Sequence, residues 1–163
     1  MKRIKLTQGQ YALVDDIDFK RLNQWKWCAL WHPTTRNFTA CRNSTIAKGK
    51  EKLIYMHREI TGVSKVKVVD HKNHNRLDNR RKNLRICTHQ ENLMNRTQQQ
   101  KNNTSGYKGV HWDKIVKKWK ARIQLNGKRI HLGNFSNIQI AVIKYNMAAK
   151  KLYGQFANLN IIT

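Results

Sequence analysis

Between residues 97 and 106 the chain reads TQQQKNNTSG, a stretch without one aliphatic or aromatic side chain. Such a segment has nothing to contribute to a core, and its closing Ser-Gly favours a turn, so residues 98–105 read as a linker. A 163-residue chain divided there leaves 1–97 and 106–163, room for two small domains and nothing larger.

Local patterns predict what each piece contains. IKLTQGQYALV suggests a hairpin, DDIDFKRLNQ a short helix opened by acids, and WKWCALWH and NFTACRN two strands rich in aromatic and β-branched residues. LIYMHREITG ends a strand and begins a brief helix. Trp25, Trp27 and Trp31 alternate and are assigned to the core. After the linker, GYKGVHWD, KKWKARIQL and KRIHLGNF read as three strands, the last two joined by the tight-turn pair Asn126-Gly127. In IQIAVIKYNMAAKKLYG the apolar residues Ile138, Ala141, Val142, Tyr145, Ala148, Ala149 and Leu152 recur at three and four, one face of a helix that stops at Gly154.

Charge narrows the partner. Against 33 Lys and Arg stand only 9 Asp and Glu, a formal net charge of +24, and a folded chain so charged calls for a polyanion. Residues 1–97 hold 21 basic and 8 acidic side chains and residues 98–163 hold 12 and 1, so both pieces are candidate contact surfaces. No run approaches the roughly 18 apolar residues that span a bilayer, and the N-terminus has no apolar signal core. No membrane role is expected, and the protein is placed in the cytoplasm. Cys28, Cys41 and Cys87 are widely spaced without CxxC, so they read as reduced structural thiols and no structural zinc is expected.

Three of the nine acids, Asp70, Asp78 and Glu91, fall in the most arginine-rich segment, VVDHKNHNRLDNRRKNLRICTHQENLMNR. KVKVVD reads as a strand ending at Asp70, LRIC as a second strand, and THQE as a capping box that starts a helix carrying Asn92. This strand, loop, strand, helix order lets Asp70 and Asn92 present oxygens to one hard divalent cation, for which magnesium, or manganese, is suited. His71, next to Asp70, is then placed to deprotonate a water. Asp78 reads as a turn or arginine-pairing residue. Arg76, Arg80, Arg81, Lys82 and Arg85 are candidate contacts to the DNA backbone.

Asp70 and His71, then Asn83, then Asn92 resemble the HNH nucleases of the ββα-metal superfamily, in particular phage and intron-encoded homing endonucleases without structural zinc. The likeness covers about residues 53–97 and includes the loop NHNRLDNRRKNLRICT. It implies His71 as general base, Asp70 and Asn92 as metal ligands, and Asn83 as a brace of the loop. His57 and Arg58 resemble the His-Arg pair that precedes this motif, with Arg58 facing phosphate charge or serving structure. The first 50 residues resemble the leader of phage members, with a supporting role.

The segment 106–160, from YKGV through KWKARI and HLGNF to FANLN, resembles the plant ethylene-response-factor, or APETALA-two, type of DNA-binding domain. That likeness implies a sheet laid in the major groove, with Lys108, His111, Arg122, Gln124, Arg129 and His131 facing DNA. Val110, Ile123, Leu132 and Phe135 go to the core. Residues differ from the plant pattern at positions 111, 122, 124 and 131, so base preference does not carry over.

The fold class expected is therefore α+β: a ββα-metal HNH unit in 1–97, its core at about 65–97, with a β-rich N-terminal extension. A three-stranded antiparallel sheet packed on one helix follows in 106–163. The function expected is a metal-dependent, nicking DNA endonuclease of homing type in a phage-infected host. It acts as a monomer on double-stranded DNA, without a small-molecule cofactor. Its rivals are a non-cleaving DNA-binding protein on the same scaffold and an RNA-binding protein.

Overall fold

The computed structural model describes residues 1–46, 49–64, 66–96 and 103–162. Contacts divide the chain into two units, Met1–His89 and Gln90–Thr163. Residues 97–102, the greater part of the expected linker, lie outside the described residues. Of its remainder, Ser105 is built into the second unit: its Oγ donates to the Val110 carbonyl at 2.6 Å.

In the first unit, β1 (Lys2–Lys5) and β2 (Tyr11–Val14) form an antiparallel hairpin, followed by α1 (Asp16–Asn23). Strands β3 (Cys28–His32), β4 (Asn37–Ile46) and β5 (Lys50–Tyr55) make a three-stranded antiparallel sheet in chain order. Helix α2 (Met56–Thr61) ends on Gly62, whose φ of 63° is the left-handed turn glycine supplies without strain. Strands β6 (Val68–His71) and β7 (Leu84–Cys87) pair antiparallel, with Asp70 opposite Arg85 and His71 opposite Leu84. Alternate residues of the hairpin, Ile4, Ala12 and Val14, join Leu22, Trp27, Ala29, Ala40, Met56, Ile60 and Leu84 in one core.

The expectation that three tryptophans are core holds for one. Trp27 is 2% exposed and donates from Nε1 to the Leu22 carbonyl at 2.8 Å, whereas Trp25 and Trp31 are 46% and 43% exposed. Their spacing is alternate, but Trp25 precedes β3 and lies under the Arg42 guanidinium at 4.4 Å, and Trp31 packs at the sheet surface against Phe38. Cys41 and Cys87 are buried, but Cys28 is exposed on the edge strand β3.

The second unit begins inside the short helix α3 (His89–Met94). Strands β8 (Val110–Asp113), β9 (Lys118–Leu125) and β10 (Lys128–Phe135) form an antiparallel sheet in the order β10-β9-β8. Asn126 and Gly127 both take positive φ, 51° and 76°, as the tight turn between β9 and β10 requires. Helix α4 (Ile138–Tyr153) is capped by the Asn137 side chain, which accepts from the Gln139 N–H at 2.7 Å. It packs Ala141, Val142, Tyr145 and Ala149 against Val110, Ala121 and Ile123. Gly109 has φ +71°, and a Cβ there would collide with the Tyr145 ring and the Arg122 carbonyl, so the YKGV opening needs its glycine to bring backbone against α4.

Candidate active site and basic sheet face

Asp70 and His71 close β6, both buried, at 7% and 6% exposed. The loop after them is tied by short polar side chains. Asn83 Oδ1 accepts from the Asn73 N–H at 3.0 Å, its Nδ2 donates to the Asp78 carbonyl at 2.7 Å, and its own carbonyl accepts from the Lys72 N–H at 2.9 Å. Asn73 and Asn75 side chains each cap the N–H two residues on, the turn chemistry for which asparagine is favoured.

The His71 ring is held from two sides. Its Nε2 lies 3.3 Å from Asn79 Oδ1, and its centroid lies 5.3 Å from that of His57, edge to face. Burial pushes the His71 pKa down, opposed by the Asn79 hydrogen bond and by Asp70, and the net shift is downward. The imidazole is therefore unprotonated at neutral pH, the state a proton acceptor needs. His57, stacked on Tyr55 and with its Nδ1 buried without a hydrogen-bond partner, is pushed down to about 3, by burial first and then by His71, Arg58 and Arg76.

A pH dependence of stability follows. An unfolded His57 takes a proton near pH 6.5, but the folded one does so only near 3. Stability is thus complete above 6.5 and falls as pH drops from 6.5 toward 3, by at most about 1.4 kcal/mol per pH unit from this group. Urea titrations across that window should give a slope that is smaller by up to one proton in His57→Phe.

Several of the arginines expected to contact DNA have partners within the protein. Arg80 makes a two-pronged pair with Asp78 at 2.7 and 2.6 Å, and Arg81 another with Asp18 at 2.7 and 2.8 Å. Arg85 holds Asp70 Oδ2 at 2.6 and 2.8 Å. Arg58 donates to the carbonyls of Ser64 and Lys67 at 3.3 and 3.0 Å, the structural one of its two roles. The anion that so dense a cluster needs is thus in large part the protein's own. Arg76 differs: among the described residues it makes no ion pair, and its charge lowers the pKa of His32, His57 and His71. Asn92 is half-buried on α3, in the second unit.

On the C-terminal sheet, Arg129 stands opposite Gln124, His131 opposite Arg122, and His111 opposite Lys120. Opposed residues share a face, and the other face carries Ala121 and Ile123 to α4, so these six form one outward row. Burial, then Arg122 and Lys120, push the His111 pKa down. Lys120, which alternation marks as readily as Arg122, belongs with the sequence-predicted five.

Lys108 does not share the row. Its Nζ donates to the carbonyls of Arg96, Asn158 and Met94 at 2.7, 3.3 and 3.4 Å, and burial lowers its pKa to about 8. It ties the chain after α3 to the C-terminal segment within the second unit. Lys108→Met should destabilise that unit by about 1–3 kcal/mol, read as a lower thermal midpoint, because the Met94 and Asn158 carbonyls lose this donor and the Arg96 carbonyl is left with the longer bond from Asn158 Nδ2 at 3.2 Å.

An unprotonated, buried histidine beside a carboxylate, on a strand pair with an asparagine-tied loop, defines a candidate hydrolytic centre. Comparison with known proteins gives its family. The HNH endonuclease profile matches residues 58–94, from α2 through α3. A protein of Acanthamoeba polyphaga mimivirus, described as an uncharacterized HNH endonuclease, is 38% identical over 95 residues, 58% of this chain and 47% of its own length. Protein 3.8 of Escherichia phage T7 is 32% identical over 89 residues, 55% of this chain and 72% of its own. The chain belongs to the HNH endonuclease family, though it spans about half the length of the mimivirus relative.

Proposed function

We propose that this chain is a divalent-metal-dependent endonuclease that cuts one strand of double-stranded DNA, with the C-terminal sheet holding the duplex. The observation that carries the reading is the Asp70-His71 pair at the end of β6, with the imidazole kept unprotonated by burial. In the reaction His71 takes a proton from water as the water oxygen bonds to phosphorus. The bond to the 3′ oxygen breaks, and that oxygen is protonated from solvent, giving a 5′ phosphate and a 3′ hydroxyl. Arg76 is the candidate contact to the phosphate, because the neighbouring arginines are engaged with acids.

The donor chemistry fits magnesium or manganese, which takes one or two protein oxygens and completes its shell with water and substrate phosphate. Asp70 offers a hard carboxylate, and Asn92 is the second oxygen that the sequence nominates. When bound, such an ion supplies positive charge against the phosphate and the leaving oxygen. The sheet reading rests on the outward row of Arg122, Arg129, His111, His131, Gln124 and Lys120, a β-face of the kind that enters a groove.

The test is supercoiled plasmid carrying phage DNA, incubated with wild type in magnesium or in excess chelator. Nicked circles are expected with the metal and none with chelator. Binding without cutting, across several DNAs and with manganese in place of magnesium, would overturn the nuclease reading in favour of a non-cleaving DNA-binding protein.

A further inference from the structure

We infer that Asn79 is the positioning residue for His71, and that strand β2 of the N-terminal hairpin is what holds Asn79 in place. The inference rests on the nuclease reading of His71 and gives the first residues of the chain a role in it. Asn79 is 1% exposed, so the environment of its amide is made wholly by the protein. Its Nδ2 points toward the Arg76 carbonyl at 3.5 Å, which leaves Oδ1 to face His71 Nε2 at 3.3 Å. A carbonyl oxygen can only accept, so Nε2 carries the ring proton and proton acceptance falls to the Nδ1 side of the ring.

What keeps Asn79 there is a backbone clamp. The Leu13 N–H donates to the Leu77 carbonyl, and the Asn79 N–H donates to the Leu13 carbonyl, both at 2.8 Å, forming a parallel bridge centred on Asp78. Leu13 can do this because its N–H and C=O point away from β1, where it stands opposite Arg3. β2 is thus covered on both edges, by β1 and by the loop. Its alternate residues Ala12 and Val14, each 0% exposed, root it in the core. The flanks are pinned as well: the Arg81 N–H donates to Asp15 Oδ2 at 2.7 Å. Asn83 ties the loop to itself, whereas Asn79 connects the ring of His71 to the hairpin.

The test uses the full chain and three proteins: wild type, Asn79→Asp, which keeps an acceptor oxygen in place, and Asn79→Leu, which removes it at similar size. Long-range proton–nitrogen NMR of the imidazole reads the His71 tautomer directly, without DNA or metal. Wild type and Asn79→Asp should hold the Nε2-protonated form, and Asn79→Leu should mix the two tautomers. In plasmid nicking, Asn79→Leu should lower kcat about 100-fold with DNA affinity unchanged, and Asn79→Asp should restore most of the rate. An unchanged tautomer in Asn79→Leu overturns the inference, whatever happens to the rate. Should Asn79→Leu lack the native circular dichroism spectrum, Asn79→Ser, whose hydroxyl is too short to reach the ring, replaces it under the same criteria. If wild type cuts no DNA, the nuclease reading fails, while the NMR result still decides whether Asn79 sets the ring.

Discussion

His71→Ala should cut DNA about 10²- to 10⁴-fold more slowly than wild type, with affinity for the same duplex changed little. The direction comes from the site. The imidazole is buried, held unprotonated by that burial, and next to the carboxylate proposed to hold the ion. Removing the ring removes the proton acceptor but leaves Asp70, Arg76 and the outward row of the C-terminal sheet in place. Rates measured at saturating protein under single-turnover conditions separate the two effects. A variant that cuts as fast as wild type would place the base elsewhere; one that no longer binds would mean that His71 contacts DNA instead of water.

Arg85→Met should have the largest effect on stability. Asp70 and Arg85 face each other across the β6-β7 pair, at 2.6 Å and with side chains only 8% and 10% exposed. A buried pair of this kind adds little compared with an apolar replacement of both partners, because burial of two charges offsets their attraction. Removal of one partner takes a short, two-pronged ionic contact from a group that stays buried, at a cost of about 3–5 kcal/mol. Chemical denaturation in chelator should show this loss. Magnesium should recover part of it if Asp70 binds the ion, since a ligand held by the folded state alone stabilises that state. The double variant Asp70→Leu/Arg85→Leu should be more stable than Arg85→Met, although inactive. A result in which Arg85→Met is as stable as wild type would mean that Asp70 is well solvated. It would also remove the reason for treating Arg85 as its partner.

Much of the secondary structure was legible because its signals are local. Period-two alternation marked β8 to β10, Asn-Gly marked their turn, and a three-and-four stripe marked α4, whose residues are those found against the sheet. The candidate DNA contacts of this sheet were instead what the resemblance to the plant domain implied, and one of them, Lys108, lies outside the row. The other five, His111, Arg122, Gln124, Arg129 and His131, share a face, in keeping with strand alternation and the tight-turn register. The adjacency of Asp70 and His71 was equally plain, as neighbours on one strand.

Long-range pairing was not legible. Arg81 finds Asp18, 63 positions away, and Lys108 is held by carbonyls, which every residue carries and none advertises. Charge density alone therefore did not reveal which arginines of the cluster have carboxylate partners within the fold. Trp25 and Trp31 share the alternation of Trp27, but burial depends on what covers a strand and not on its period. Sequence by itself determined the elements and the Asp70-His71 pair, since those follow from patterns within a few residues or across one turn. Only the tertiary structure decided that Arg81 pairs with Asp18 and that β2 clamps Asn79 beside the His71 ring, because Asp18 and Leu13 are brought to this loop across more than sixty residues of chain.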